Sequence, residues 1–162
     1  MSESGVKERT WRRLRRWLPE LLILLLILGG VHLWQTRELP HGPAPSLAGE
    51  LLDGGRFDLE ALRGRVVLVH FWGSWCPVCR FEADTIAALA RGHEVVGVAV
   101  GEDAGQIRRY FEQAGLRYPV IPDPGGRLKH AWKVRGVPTS FIVDRGGRIR
   151  FRSVGYTTRL GL

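Results

Sequence analysis

The chain has 162 residues, enough for one domain and a short appendage. Hydrophobic residues at 44% and charged residues at 25% exclude a wholly disordered chain, and two cysteines exclude a disulfide-stapled miniprotein. The net charge of +8, from 24 Lys+Arg against 16 Asp+Glu, is informative mainly through where it sits.

Residues 1–20 are basic, with Lys7, Arg9, Arg12, Arg13, Arg15 and Arg16. From Leu21 to Thr36 no residue is charged, Leu21–Leu28 is purely aliphatic, and Trp17 and Trp34 flank the run as interfacial anchors do. This pattern predicts a short transmembrane anchor over 21–36. The basic flank stays in the cytoplasm and the rest of the chain is exported. A cleaved signal peptide is the alternative. The nearby small-x-small site, Ser46-Leu47-Ala48, lies far past the apolar run, which favours an uncleaved anchor. A basic arm for nucleic acid does not fit, because the aliphatic run follows directly. Pro40, Gly42, Pro43, Pro45 and Gly49 make 37–49 read as a tether, with the folded domain over 50–162. The domain's mildly basic balance reads as a solvated surface, with anionic lipid beneath it a weaker alternative.

Within the domain, Asp53-Gly54-Gly55 between Leu51-Leu52 and Phe57 signals a small hairpin, and Leu59–Leu62 one helical turn. Val66–Trp72 is a continuous β-branched and aromatic run, the mark of a central buried strand. A helix is predicted from Pro77 to about Ala90, with Phe81, Ile86, Leu89 and Ala90 as candidate buried positions. Val95–Val100 reads as a second buried strand. Ala104–Ala114 reads as a helix striped by Ile107, Tyr110, Phe111 and Ala114 and ended by Gly115. Pro119–Ile121 is a short strand and Leu128–Trp132 a short helix. Ser140–Asp144 and Arg148–Val154 are strands joined at Arg145-Gly146-Gly147. Strands separated by helices, closed by an antiparallel hairpin, give an α/β fold with a central mixed sheet flanked by helices.

The chemistry centres on Cys76-Pro77-Val78-Cys79, placed where a buried strand turns into a helix. With Cys76 at the helix start, Cys79 lies one turn later on the same face, within reach of a disulfide. The first thiol faces unpaired backbone N–H groups and the positive end of the helix dipole, which favour thiolate. Pro77 suits the first helical position because it has no N–H to leave unpaired. Such a small disulfide loop contributes little to stability, so a structural staple is a weak reading. Redox exchange is favoured. Copper(I) binding by the two thiols is the rival, and no second cysteine pair or paired histidine spacing completes a zinc site.

The segment Val67–Arg80, ending Phe71-Trp72-Gly73-Ser74-Trp75-Cys76-Pro77-Val78-Cys79-Arg80, resembles the active-site segment of thioredoxin-like proteins. Gly136-Val137-Pro138-Thr139-Ser140-Phe141-Ile142-Val143-Asp144 resembles their second signature. Together the two segments look most like membrane-anchored bacterial thiol–disulfide oxidoreductases, the relatives that serve cytochrome c maturation and copper tolerance. That resemblance implies a thioredoxin-like fold and a protein-disulfide oxidoreductase at the bacterial inner membrane, its domain in the periplasm. Its partners would be exported protein disulfides and a transmembrane thiol electron carrier, with no cofactor beyond a Cys76–Cys79 disulfide. Cys76 would be the exposed attacking thiol and Cys79 the buried resolving thiol. Pro138 would be cis and line the substrate groove. Val137 would offer backbone hydrogen bonds to a bound peptide, beside Pro77, and Trp75 would form part of the docking rim. Glu82 matches an acid that the cytochrome-maturation relatives keep near the cysteines, while an ordinary dipole-complementing helix acid remains open. An oxidant running the exchange backwards is the alternative direction. A peroxidase is disfavoured, because no separate resolving cysteine exists. Two departures stand out. His70 occupies a position where thioredoxins have an aspartate, and a buried neutral histidine is the simpler account. Only Tyr156–Leu162 remain for the expected closing helix, leaving a shortened helix or a fragment.

Overall fold

The computed structural model describes residues 18–31 and 39–156. The chain divides into two units, Met1–Arg37 and Glu38–Leu162. In the first unit residues 18–31 form a helix, α1, whose aliphatic side chains Leu21 to Leu28 are exposed. The expected anchor over 21–36 is therefore helical as far as residue 31. Its remainder, residue Trp17 and most of the basic segment lie outside the described residues. Among the described residues no helix is long and apolar enough to cross a membrane.

The second unit is built on a six-stranded mixed sheet in the order β1-β8-β7-β4-β5-β6. Its strands are β1 (Gly42–Pro43), β4 (Val67–Trp72), β5 (Glu94–Val100), β6 (Val120–Asp123), β7 (Thr139–Val143) and β8 (Arg148–Val154). A separate hairpin pairs β2 (Ala48–Glu50) with β3 (Arg56–Asp58). The helices are α2 (Pro77–Ala90), α3 (Ala104–Ala114) and α4 (Arg127–Ala131), with a 3-10 turn at Glu60–Leu62. β4 runs parallel to β5 and antiparallel to β7. Every residue of β4 is buried, as its unbroken apolar run requires of a central strand.

Alternation along β4 divides the core in two. Val67, Val69 and Phe71 pack with Trp132, Phe141 and Leu47 on one face. Leu68 and Trp72 face α2 and α3, where Trp72 stacks on Phe111 at 5.6 Å and Leu68 meets Ile86. Trp72 is thus a packing residue. α3 begins with a capping box between Asp103 and Gln106 and ends at Gly115 in the left-handed conformation.

Two expectations are corrected. The tether over 37–49 is in large part folded: Leu39 and Leu47 are buried in the core, and Gly42–Pro43 pair with Arg148 and Ile149 of β8. Two isolated leucines anchor this Pro/Gly-rich segment in the core, and backbone pairing to β8 holds it beside the sheet. Phe81, expected in the core, is 78% exposed. The buried side of α2 is Cys79, Glu82, Ala83 and Ile86, a helical stripe on which Phe81 does not lie. Residues 157–162, where a closing helix was in question, lie outside the described residues.

Candidate active site

The site forms where β4 ends and α2 begins. Gly73 leaves β4 in a turn closed by the Cys76 N–H donating to the Gly73 carbonyl at 3.1 Å. The Trp75 ring folds back over Gly73 so closely that an added Cβ there would lie 2.5 Å from Trp75 Nε1. Trp75 Nε1 donates to the Val100 carbonyl at 3.0 Å, and the ring is 60% exposed. Ser74 donates both its backbone N–H, at 2.7 Å, and its hydroxyl to the buried Glu102 carboxylate. The end of β5 thereby clamps the segment that presents the cysteines.

Cys76 is the N-cap of α2 and Pro77 takes the first helical position. Cys76 Sγ accepts from the Cys79 N–H at 3.3 Å, so the sulfur caps the helix and is held one turn from its neighbour. The Cys76 thiol lies 3.7 Å from the Val137 carbonyl. Both cysteines are thiols in this structure. Cys76, expected to be exposed, is only 5% accessible, and the close approach of Val137 contributes to covering it. Cys79 is 2% accessible. Burial pushes its thiol well above the ordinary cysteine range, and the hydrogen bond with Cys76 and the charges of Cys76 and Glu82 add to the rise.

The Val137–Pro138 peptide bond is cis, and Pro138 is buried against the site. The Thr139 hydroxyl donates to the Gly136 carbonyl at 2.7 Å, and the Gly155 N–H to the Pro138 carbonyl at 2.9 Å. These bonds fix the loop from which Val137 faces Cys76. Pro77 and Val78 are exposed beside Trp75, and Phe81 extends this apolar rim to Tyr156, its ring 5.4 Å away.

Glu82 is 1% accessible and faces the sheet, which removes the reading of it as a surface acid complementing the dipole. Its Oε1 lies 3.6 Å from Nε2 of His70, which is itself buried. The His70 Nδ1 is 3.0 Å from the Ser140 hydroxyl oxygen. Burial lowers the His70 pKa to about 3, so the ring is neutral, as its position suggested. The structure brings Cys76, Cys79, Glu82, Trp75, Pro77, Val137 and Pro138 into one region. Sequence reasoning missed Glu102 and Ser140. Glu102 stands just past the carboxyl end of a parallel strand, where α/β sheets place functional groups, and that signal could have found it. Ser140 is defined only by its register opposite His70. Among the described residues no cluster of three or more His, Cys, Asp or Glu could hold a metal ion.

Comparison with known proteins agrees with this geometry. The family described as AhpC/TSA matches residues 40–152. The thiol-disulfide oxidoreductase ResA of Bacillus thuringiensis is 29% identical over 157 residues, covering 89% of this chain and 91% of the relative. The thiol:disulfide interchange protein HelX of Rhodobacter capsulatus is 30% identical over 154 residues, covering 88% and 87%. A crystal structure of a putative thiol:disulfide interchange protein DsbE from Chlorobium tepidum superposes with a TM-score of 0.66 at 31% identity, covering 74% of this chain and 89% of that one. With a buried cysteine pair at a helix start, facing a cis-proline loop on a mixed sheet, the chain belongs to the AhpC/TSA family and is a thioredoxin-like protein-disulfide oxidoreductase.

Proposed function

We propose that this enzyme reduces disulfides in exported proteins through Cys76 and Cys79. The observation that carries the reading is the asymmetry of the pair. Cys76 caps the helix against the Val137 carbonyl, while Cys79 is buried behind it with its thiol proton strongly held. The Cys76 thiolate attacks one sulfur of the partner's disulfide. That S–S bond breaks, a mixed disulfide forms, and the first partner thiol leaves. Cys79 then gives up its proton and attacks Cys76 Sγ. The second partner thiol leaves, and Cys76–Cys79 becomes a disulfide. Two electrons and two protons have passed to the partner. Trp75, Pro77, Val137 and Pro138 hold the peptide across the sulfurs. Glu82 accepts the Cys79 proton, which a thiol so firmly protonated needs for the second step.

No third cysteine exists to regenerate the pair, so a thiol carrier must reduce it. A transmembrane carrier fits a domain tied to the membrane by residues 21–36, since tethering raises its effective concentration beside the carrier. Equilibrating the full chain with glutathione buffers of graded ratio, then trapping free thiols, tests the direction. A pair that stays disulfide-bonded until the buffer is strongly reducing marks a reductant. A pair already reduced in an oxidising buffer marks an oxidant and overturns the direction.

A further inference from the structure

His70, Ser140 and Glu82 form a buried polar row that the proposed exchange uses only at its Glu82 end. Each member sits where an apolar side chain would otherwise pack. His70 and Ser140 are directly paired across β4 and β7, and Glu82 reaches down from α2. All three are at most 3% accessible. Burying three polar side chains is costly unless they satisfy one another. The distances are 3.0 Å from Ser140 Oγ to His70 Nδ1 and 3.6 Å from His70 Nε2 to Glu82 Oε1. The second is slightly longer than a hydrogen bond, within reach of a small side-chain movement.

We propose that His70, its tautomer selected by Ser140, is the positioning residue that holds Glu82 as a carboxylate ready to take the Cys79 proton. The Ser140 hydroxyl donates to Nδ1, so Nε2 carries the ring proton and turns it toward Glu82. A neutral donor there favours the charged form of the acid without adding a second charge to the core. The low pKa of His70 is consistent with this, because the ring stays neutral throughout the working pH range. Ionisable groups that interact with Glu82 include Cys79 on α2 and Tyr118 before β6, with Cys76 and Tyr110 beyond them. The strand residue paired with His70 on its β5 side is Gly97, which brings none. The inference rests on the reading of Glu82 as proton acceptor.

The test uses the full chain and an aromatic disulfide, 5,5′-dithiobis(2-nitrobenzoate). The first coloured thiolate is released when Cys76 attacks, and the second when Cys79 displaces the aryl thiol from Cys76. The second phase therefore reports Cys79 alone, and its rate is followed against pH. His70→Asn should move the midpoint of this profile up by about one pH unit, slowing the phase about tenfold below it. Ser140→Ala, which removes only the hydroxyl, should move it in the same direction. In a Glu82→Gln background neither change should shift it further. Nitrogen-15 spectra of the parent should show His70 protonated at Nε2. A Glu82→Gln chain with the parental second phase would overturn the Glu82 reading and this inference with it. A changed Glu82→Gln phase beside parental profiles for Ser140→Ala and His70→Asn would overturn this inference alone. So would equal shifts in both backgrounds, or an Nδ1-protonated ring. Should His70→Asn fail to fold, Ser140→Ala and the tautomer decide.

Discussion

His70 illustrates how a single buried side chain ties stability to pH. Above the ordinary imidazole pKa of 6.5 the ring is neutral in both folded and unfolded chains. Below it the unfolded chain binds a proton that the fold refuses until about pH 3. Stability should therefore fall as pH drops through this window, by up to about 1.4 kcal/mol per pH unit from this group. Chemical denaturation of the parent and of His70→Asn between pH 7 and 4 checks this. The variant should lose the extra acid sensitivity, and parallel curves would contradict the assignment. Gly73 carries a steric constraint of a different kind. Gly73→Ala would drive a methyl into the Trp75 ring, displacing the exposed Trp75 side chain next to Cys76 in the chain. Partner exchange should slow severalfold, while bulk stability falls by about 1–3 kcal/mol. Stopped-flow rates alongside thermal melting measure both.

At the level of elements, the cysteines depend on the clamp from the end of β5. Glu102→Ala removes two charge-assisted hydrogen bonds to Ser74, and bonds of that class contribute about 1.5–3 kcal/mol each. The variant should melt lower and attack disulfides more slowly. A lower melting point with parental exchange would show that the clamp stabilises the fold without positioning Cys76. Gly115→Ala supplies a remote control. It strains the left-handed cap of α3, φ 65°, and should cost roughly 1 kcal/mol with exchange unchanged. The legibility of these elements followed their physics. β4 was readable because a central strand is apolar throughout, and the start of α2 because proline suits a first helical position. Phe81 was misread because an aromatic residue on a helix looks like a core anchor. The buried stripe instead runs through Cys79, Glu82, Ala83 and Ile86. A glutamate sits on that stripe, and periodicity alone treats an acid as outward-facing. Glu102 and the His70–Ser140 pair were hidden for another reason. They act through strand neighbours distant in sequence, which no local pattern encodes.

In the whole molecule a redox domain follows an N-terminal segment proposed to hold it at the membrane. The folded unit starts near Glu38, so an alkaline phosphatase reporter belongs after Arg37 rather than within β2. It should be active, as the enzyme folds only outside the cytoplasm, and an inactive, stable fusion would contradict export. Exchange by this enzyme rests on a division of labour between the two thiols. Its most direct measurement is mass spectrometry of protein adducts from cells expressing Cys79→Ser or Cys76→Ser. Cys79→Ser should accumulate partners disulfide-linked to Cys76, because the resolving attack is gone, and Cys76→Ser should accumulate none. Partners trapped mainly on Cys79 in the Cys76→Ser chain would contradict it.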